Sequence, residues 1–118
     1  MATAEPEVRF ICPIAPSVNN LFSNKRSGRL RRAFYKAWLR EAGWAVHLQK
    51  PPPVAGLVRV LIEAPVNRHR DLDNCLKATL DLIVSLGIIE NDNRIDDLRI
   101  LRVAPSAAAD MTISIWRM

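Results

Sequence analysis

The feature that most limits how this chain can fold is a change of hydrophobic period on either side of Pro65. Before it, Val58, Val60 and Ile62 alternate with Arg59, Leu61 and Glu63, the two-residue repeat of a strand with one buried face. After it, Leu72, Leu76, Leu80 and Ile83 recur at helical spacing. Thr79 and Leu86 extend that apolar stripe, and Gly87 stands where a helix end accepts a left-handed residue. A strand, a short loop and an amphipathic helix in this order require a sheet for the stripe to pack on.

The remaining elements fit the same plan. Residues Val8 to Ile11 read as a short strand, stopped by Pro13 and Pro16 and followed by the polar turn Ser17-Val18-Asn19-Asn20. From Leu30 the pattern is helical: Leu30, Phe34, Ala37, Trp38 and Ala45 share a face, and Arg29, Arg32, Lys36 and Arg40 repeat at three- and four-residue spacing on another. Pro51-Pro52-Pro53 ends that stretch. Leu98 to Val103 and Met111 to Trp116 read as two further strands, after the turn Glu90-Asn91-Asp92-Asn93-Arg94. The expected order is βαβαββ, an α+β or mixed α/β fold with helices packed on one sheet. At 118 residues, positions 1–118 form one small domain, with a single core. Trp38 and Trp44 are assigned to the core or a dimer interface, and Trp116 to the sheet.

Composition narrows the function. The chain carries 17 Lys and Arg against 12 Asp and Glu, with a net charge of +5. Seven of those cations lie between Lys25 and Arg40, where there is no acid, while seven of the acids lie between Asp71 and Asp97. A segregated basic surface attracts polyanions, nucleic acid first among them. Cys12 and Cys75 match no metal-ligand spacing and make no disulfide framework, which fits a reducing, cytoplasmic setting. No apolar run approaches a membrane span, and no membrane partner or organic cofactor is expected.

The acids concentrate in Arg70-Asp71-Leu72-Asp73-Asn74, at the start of the second helical pattern. One reading is structural: Asp and Asn cap helix N-termini, for about 1 kcal/mol, and Asp73 with Lys77 makes a surface ion pair at i, i+4. The other is chemical. Two neighbouring aspartates in a basic protein are the oxygen donors that Mg²⁺ or Mn²⁺ takes beside a substrate phosphate. Lys77 would then face the scissile phosphate. A cap accounts for one aspartate and the ion pair for Asp73 with Lys77, and neither touches Asp92.

Arg70-Asp71-Leu72-Asp73-Asn74, followed by Lys77, Asp81, Gly87 and Asn91-Asp92, and preceded by Pro16-Ser17-Val18-Asn19-Asn20, resembles the RusA family of Holliday junction resolvases along essentially the whole chain. The resemblance implies a small homodimeric, Mg²⁺-dependent endonuclease that binds four-way branched DNA and nicks two strands symmetrically. It implies Asp71, Asp73 and Asp92 as catalytic, metal-holding acids and Lys77 as the essential lysine. One departure stands out: the family often has two acids at the last site, and here the first is Asn91. Glu90, Asp96 and Asp97 are weaker candidates, the latter two expected as solvated turn residues. Arg29, Arg32, Lys36 and Arg40, with Arg68, His69 and Arg70, are the expected DNA contacts, and Phe22 a residue that could press on unstacked bases. A broader branched-DNA or flap nuclease and a non-catalytic junction-binding protein are the competing readings.

The spacing carries a geometric difficulty. A helix from Leu72 to Leu86 is about 22 Å long, so Asp92 begins far from Asp71 and Asp73. Either Gly87 to Asp92 run back along the helix, at about 3.3 Å per residue, or Asp92 comes from a symmetry-related copy. We expect two-fold pairing to help build each site.

Overall fold

In a computed structural model, which describes residues 5–14, 28–65, 76–104 and 110–118 (backbone alone for 28–32), the alternation before Pro65 becomes the second strand of a four-stranded sheet. The described elements are β1 (Val8–Cys12), α1 (Gly28–His47), β2 (Val58–Pro65), α2 (Leu76–Ser85), a 3-10 turn (Asp92–Arg94), β3 (Ile95–Val103) and β4 (Met111–Arg117). The sheet runs β1-β4-β2-β3. β4 is antiparallel to both neighbours, and β2 and β3 are parallel. This is a mixed sheet with two helices, an α+β architecture.

Strand alternation decides which residues meet the helices. Val58, Val60 and Ile62 on β2, Ile113 and Ile115 on β4, and Val8, Phe10 and Cys12 on β1 are buried on one face. From α1, Trp38, Ala42 and Val46 join them, and from α2, Ala78, Leu82 and Ile83. The expected apolar face of α1 needs correction. Phe34 is 62% and Trp44 65% exposed, Ala37 is also exposed, and the buried stripe is Trp38, Ala42 and Val46, flanked by Tyr35 and Leu39. This helix carries two apolar stripes, and packing against the sheet selects one that periodicity alone does not rank. Trp44 is therefore not a core residue; its ring lies tilted against His47 at 6.0 Å.

The exit from α2 sets the position of everything after it. Gly87 has φ of 73°, its N–H donates to the Val84 carbonyl, and the Ile88 N–H reaches back to Ile83, both at 3.0 Å. These two bonds form a Schellman cap, and buried Ile88 and Ile83 supply its usual apolar contact. The chain then pairs sideways. The Val54 N–H donates to the Ile88 carbonyl at 2.8 Å, and the Gly56 N–H donates to Glu90 Oε1 at 3.0 Å. Replacing Gly87 by alanine forces a Cβ into the left-handed region, so Gly87→Ala should lower stability by about 1–2 kcal/mol. Urea denaturation measures this, and an unchanged midpoint would rule out the cap as a determinant of the turn.

β3 begins at Ile95, three residues before the expected start, so Asp96 and Asp97 belong to a strand and not to a turn. Parallel pairing explains the difference. Val58 pairs with Ile95 and Arg59 with Asp97, with a one-residue irregularity at Asp96 that no local pattern announces. At the other edge of the sheet, the Gln49 side chain accepts from the Ile11 N–H at 2.8 Å and donates to its carbonyl at 2.6 Å, standing in for a neighbouring strand. Among the described residues no helix is long and apolar enough to cross a membrane.

The strand directions sort the connections by sheet end. β1, β2 and β3 all run the same way and β4 runs against them. The segments that follow β1, β2 and β3 therefore leave from one end of the sheet, while the 3-10 turn at Asp92–Arg94 enters β3 at the other.

Candidate active site and nucleic-acid interface

Of the residues singled out in the sequence, Asp71, Asp73, Arg68, His69, Arg70 and Phe22 lie outside the described residues. Lys77 and Asp92 lie within them. Lys77 is exposed in the first turn of α2, and its ammonium makes no hydrogen bond or ion pair among the described residues. The next acid along the helix, Asp81, is committed elsewhere: its carboxylate accepts from the Tyr35 hydroxyl at 3.3 Å, linking α2 to α1. Burial, then the nearby Asp81 charge and this hydrogen bond, push the Tyr35 pKa up from its usual value.

Asp92 opens the 3-10 turn. The residue before it, Asn91, is the turn's cap, its side-chain oxygen accepting from the Asn93 N–H at 3.3 Å. Asn and Asp cap equally well. The departure at Asn91 therefore keeps the local fold and removes one negative charge. The Asp92 carboxylate is exposed and has no partner among the described residues, an oxygen donor of the type a hard divalent cation takes. Of the nearby acids, Asp96 is exposed on β3, and the other two are occupied. Glu90 holds the Gly56 N–H and lies 3.6 Å from Arg94, and Asp97 pairs with Arg99 at 3.4 Å. Both acids are accounted for structurally.

Within one chain, Lys77 stands in the first turn of α2, and the 3-10 turn that holds Asp92 follows the other end of that helix. The 10 residues of α2, about 15 Å of helix, run from the first toward the second. Asp92 is also at the opposite end of the sheet from Pro65, where the chain leaves β2 for positions 66–75.

On the expected basic stripe, Lys36 and Arg40 are exposed on α1, and Arg29 and Arg32 continue the same helical register in the backbone. A second group of cations was not singled out in the sequence. Arg9, Arg59 and Arg99 lie on the sheet face turned away from the helices and, with Glu5, Pro6, Leu61 and Trp116, line a concavity of about 400 Å³. Each is the outward residue of an alternating strand, a visible signal. Its convergence with the other two depends on cross-strand register, which is not.

A model of the endodeoxyribonuclease RusA family matches residues 12–115. The chain belongs to this family. The match spans Asp71, Asp73, Lys77 and Asp92, so the resemblance read from the Arg70–Asn74 string holds across nearly the whole chain. One relative within the RusA family, a crossover junction endodeoxyribonuclease of Enterobacteria phage HK97, is 28% identical over 103 residues, covering 81% of this chain and 82% of that protein.

Proposed function

We propose that this RusA-family endodeoxyribonuclease resolves four-way DNA junctions as a homodimer, by paired symmetric nicks that depend on Mg²⁺, with Mn²⁺ as a substitute. The observation that carries the reading is the presence, within the family-matched span, of Asp71, Asp73, Asp92 and Lys77 together in a strongly basic chain. A two-fold dimer offers two equivalent sites to a junction that presents two strands of like polarity.

In this reading Asp71, Asp73 and Asp92 hold the metal through carboxylate oxygens. A bound divalent ion supplies Lewis acidity toward the phosphoryl oxygen and activates water near neutral pH. Lys77 places its ammonium against charge that develops on the phosphoryl and leaving oxygens, an interaction stronger in the transition state than in the ground state. Arg29, Arg32, Lys36 and Arg40, with Arg68, His69 and Arg70, hold the duplex backbone so that the scissile phosphate is in line with its nucleophile. The products carry 5′-phosphate and 3′-hydroxyl ends. The setting is the cytoplasm, where the DNA is.

Incubating the protein with a synthetic mobile four-way junction, a flap, a splayed duplex and a linear duplex of matched sequence tests this directly. The junction alone should be nicked, symmetrically, and chelation of the divalent ion should abolish nicking while leaving binding. Equal cutting of the flap would replace resolution with broader branched-DNA cleavage. Binding without nicks under Mg²⁺ and Mn²⁺ would replace the enzyme with a junction-binding protein.

A further inference from the structure

We infer that the sheet face turned away from the helices is a second DNA-backbone contact, in which Arg9, Arg59 and Arg99 take phosphates of a junction arm. The inference rests on the branched-DNA reading above and adds a surface to it. Among the described residues, no helix or strand covers this face. Register places the three arginines. Arg9 pairs with Ser114, Ser114 with Leu61, and Leu61 with Arg99, so four strands contribute one row across the sheet. At about 4.8 Å between strands, the row is about 14 Å wide. Arg59 stands one step along β2 from Leu61, opposite its cross-strand partner Trp116.

Each guanidinium is held in place. Arg9 Nε donates to the buried Ser114 hydroxyl at 3.1 Å, Arg59 lies 4.4 Å from the centre of the Trp116 ring, and Arg99 rests on Asp97 at 3.4 Å. Stacking on indole orients Arg59 while leaving its in-plane N–H groups available to donate. Side chains already ordered lose less freedom on binding. The concavity has three arginines in its lining against one acid, Glu5, with Asp97 beside Arg99 as a second acid at its edge, and Leu61 and Trp116 form its apolar floor. Planar guanidiniums match phosphate oxygens in a fork that lysine does not offer. Lys36 and Arg40 lie on α1, on the other side of the sheet. A protein with cationic surfaces on two sides suits a branched DNA whose arms diverge, whereas a linear duplex follows only one of them.

The test is equilibrium binding of an intact four-way junction, in EDTA to prevent nicking, across a series of KCl concentrations. The Arg59→Gln/Arg99→Gln protein should bind about tenfold more weakly, and its plot of log affinity against log salt should be shallower by about two units, near 0.9 per lost phosphate contact. Lys50→Gln/Arg117→Gln, with the same loss of charge elsewhere, should keep the wild-type slope. Arg59→Lys/Arg99→Lys should recover most of the slope. Arg99→Gln alone, at an exposed side chain, should lose about one unit, so a folding defect at Arg59 does not remove the readout. A slope unchanged from wild type in the glutamine variants, or a loss of slope in the control pair as large as in theirs, overturns the inference. So does a change in the oligomeric state of Arg59→Gln/Arg99→Gln by gel filtration, which would make this face a contact between copies. A wild type that binds and nicks junctions while these variants bind unchanged overturns this surface alone. A wild type that binds no junction overturns the functional reading with it.

Discussion

Asp73→Asn should reduce junction nicking by about a thousandfold or more while leaving junction binding and stability near wild type. The substitution separates the two chemistries open to this aspartate. As a helix cap, Asn serves as well as Asp, and exchanging them alters stability by only a few tenths of a kcal/mol. As a metal ligand, Asn keeps the shape and loses the charge. Lewis-acid stabilisation of a phosphoryl transfer is worth several kcal/mol, and each 1.36 kcal/mol is a factor of ten in rate. Single-turnover nicking at saturating protein reads the chemical step, anisotropy reads binding, and thermal unfolding reads the cap. Nicking at the wild-type rate would remove Asp73 from the site and leave it a cap. Loss of binding alongside activity would point to a folding defect instead.

The same contrast between local chemistry and long-range geometry governs what the sequence discloses about the fold. β2 and α2 are legible because their periods change cleanly across Pro65 and because Gly87 marks a stop that the structure realises as a Schellman cap. The buried face of α1 is not legible. Phe34 and Ala37 compete with Tyr35, Trp38, Ala42 and Val46, and the sheet, which no window of α1 contains, decides between them. The start of β3 is hidden for a related reason: Asp96 and Asp97 read as loop until β2 offers them a parallel partner. At the candidate site, the types and spacing of Asp71, Asp73 and Lys77 leave helix capping and metal binding both open, and it is the resemblance to the family that favours the second; the capping role of Asn91 explains how a neutral residue holds its place. The three outward arginines lie on β1, β2 and β3, and only the sheet order makes them neighbours.

That separation of chemistry from assembly leads to the second large expected effect. Asp71→Asn and Asp92→Asn proteins, each inactive alone, should recover nicking when mixed and allowed to exchange subunits. The topology supports this. α2 carries the chain about 12 Å from Lys77 to Ser85, and the turn at Asp92 then leads into β3 at the end of the sheet away from Pro65. An antiparallel two-fold arrangement of copies would set the Asp92 end of one chain against the Lys77 end of the other. In a heterodimer of the two variants, one site would then carry both lesions and the other neither. Random exchange makes about half the dimers mixed, each with one intact site, so about a quarter of the wild-type sites return. The nicks in such a mixture should be single and not paired, because each active dimer cuts one strand. Sites built within one chain predict a different result. Every site would keep one lesion, and no mixture would nick. Complete failure to recover activity, with exchange verified by mass, would place Asp92 beside Asp71 in the same chain and require positions 66–75 to span the length of the sheet.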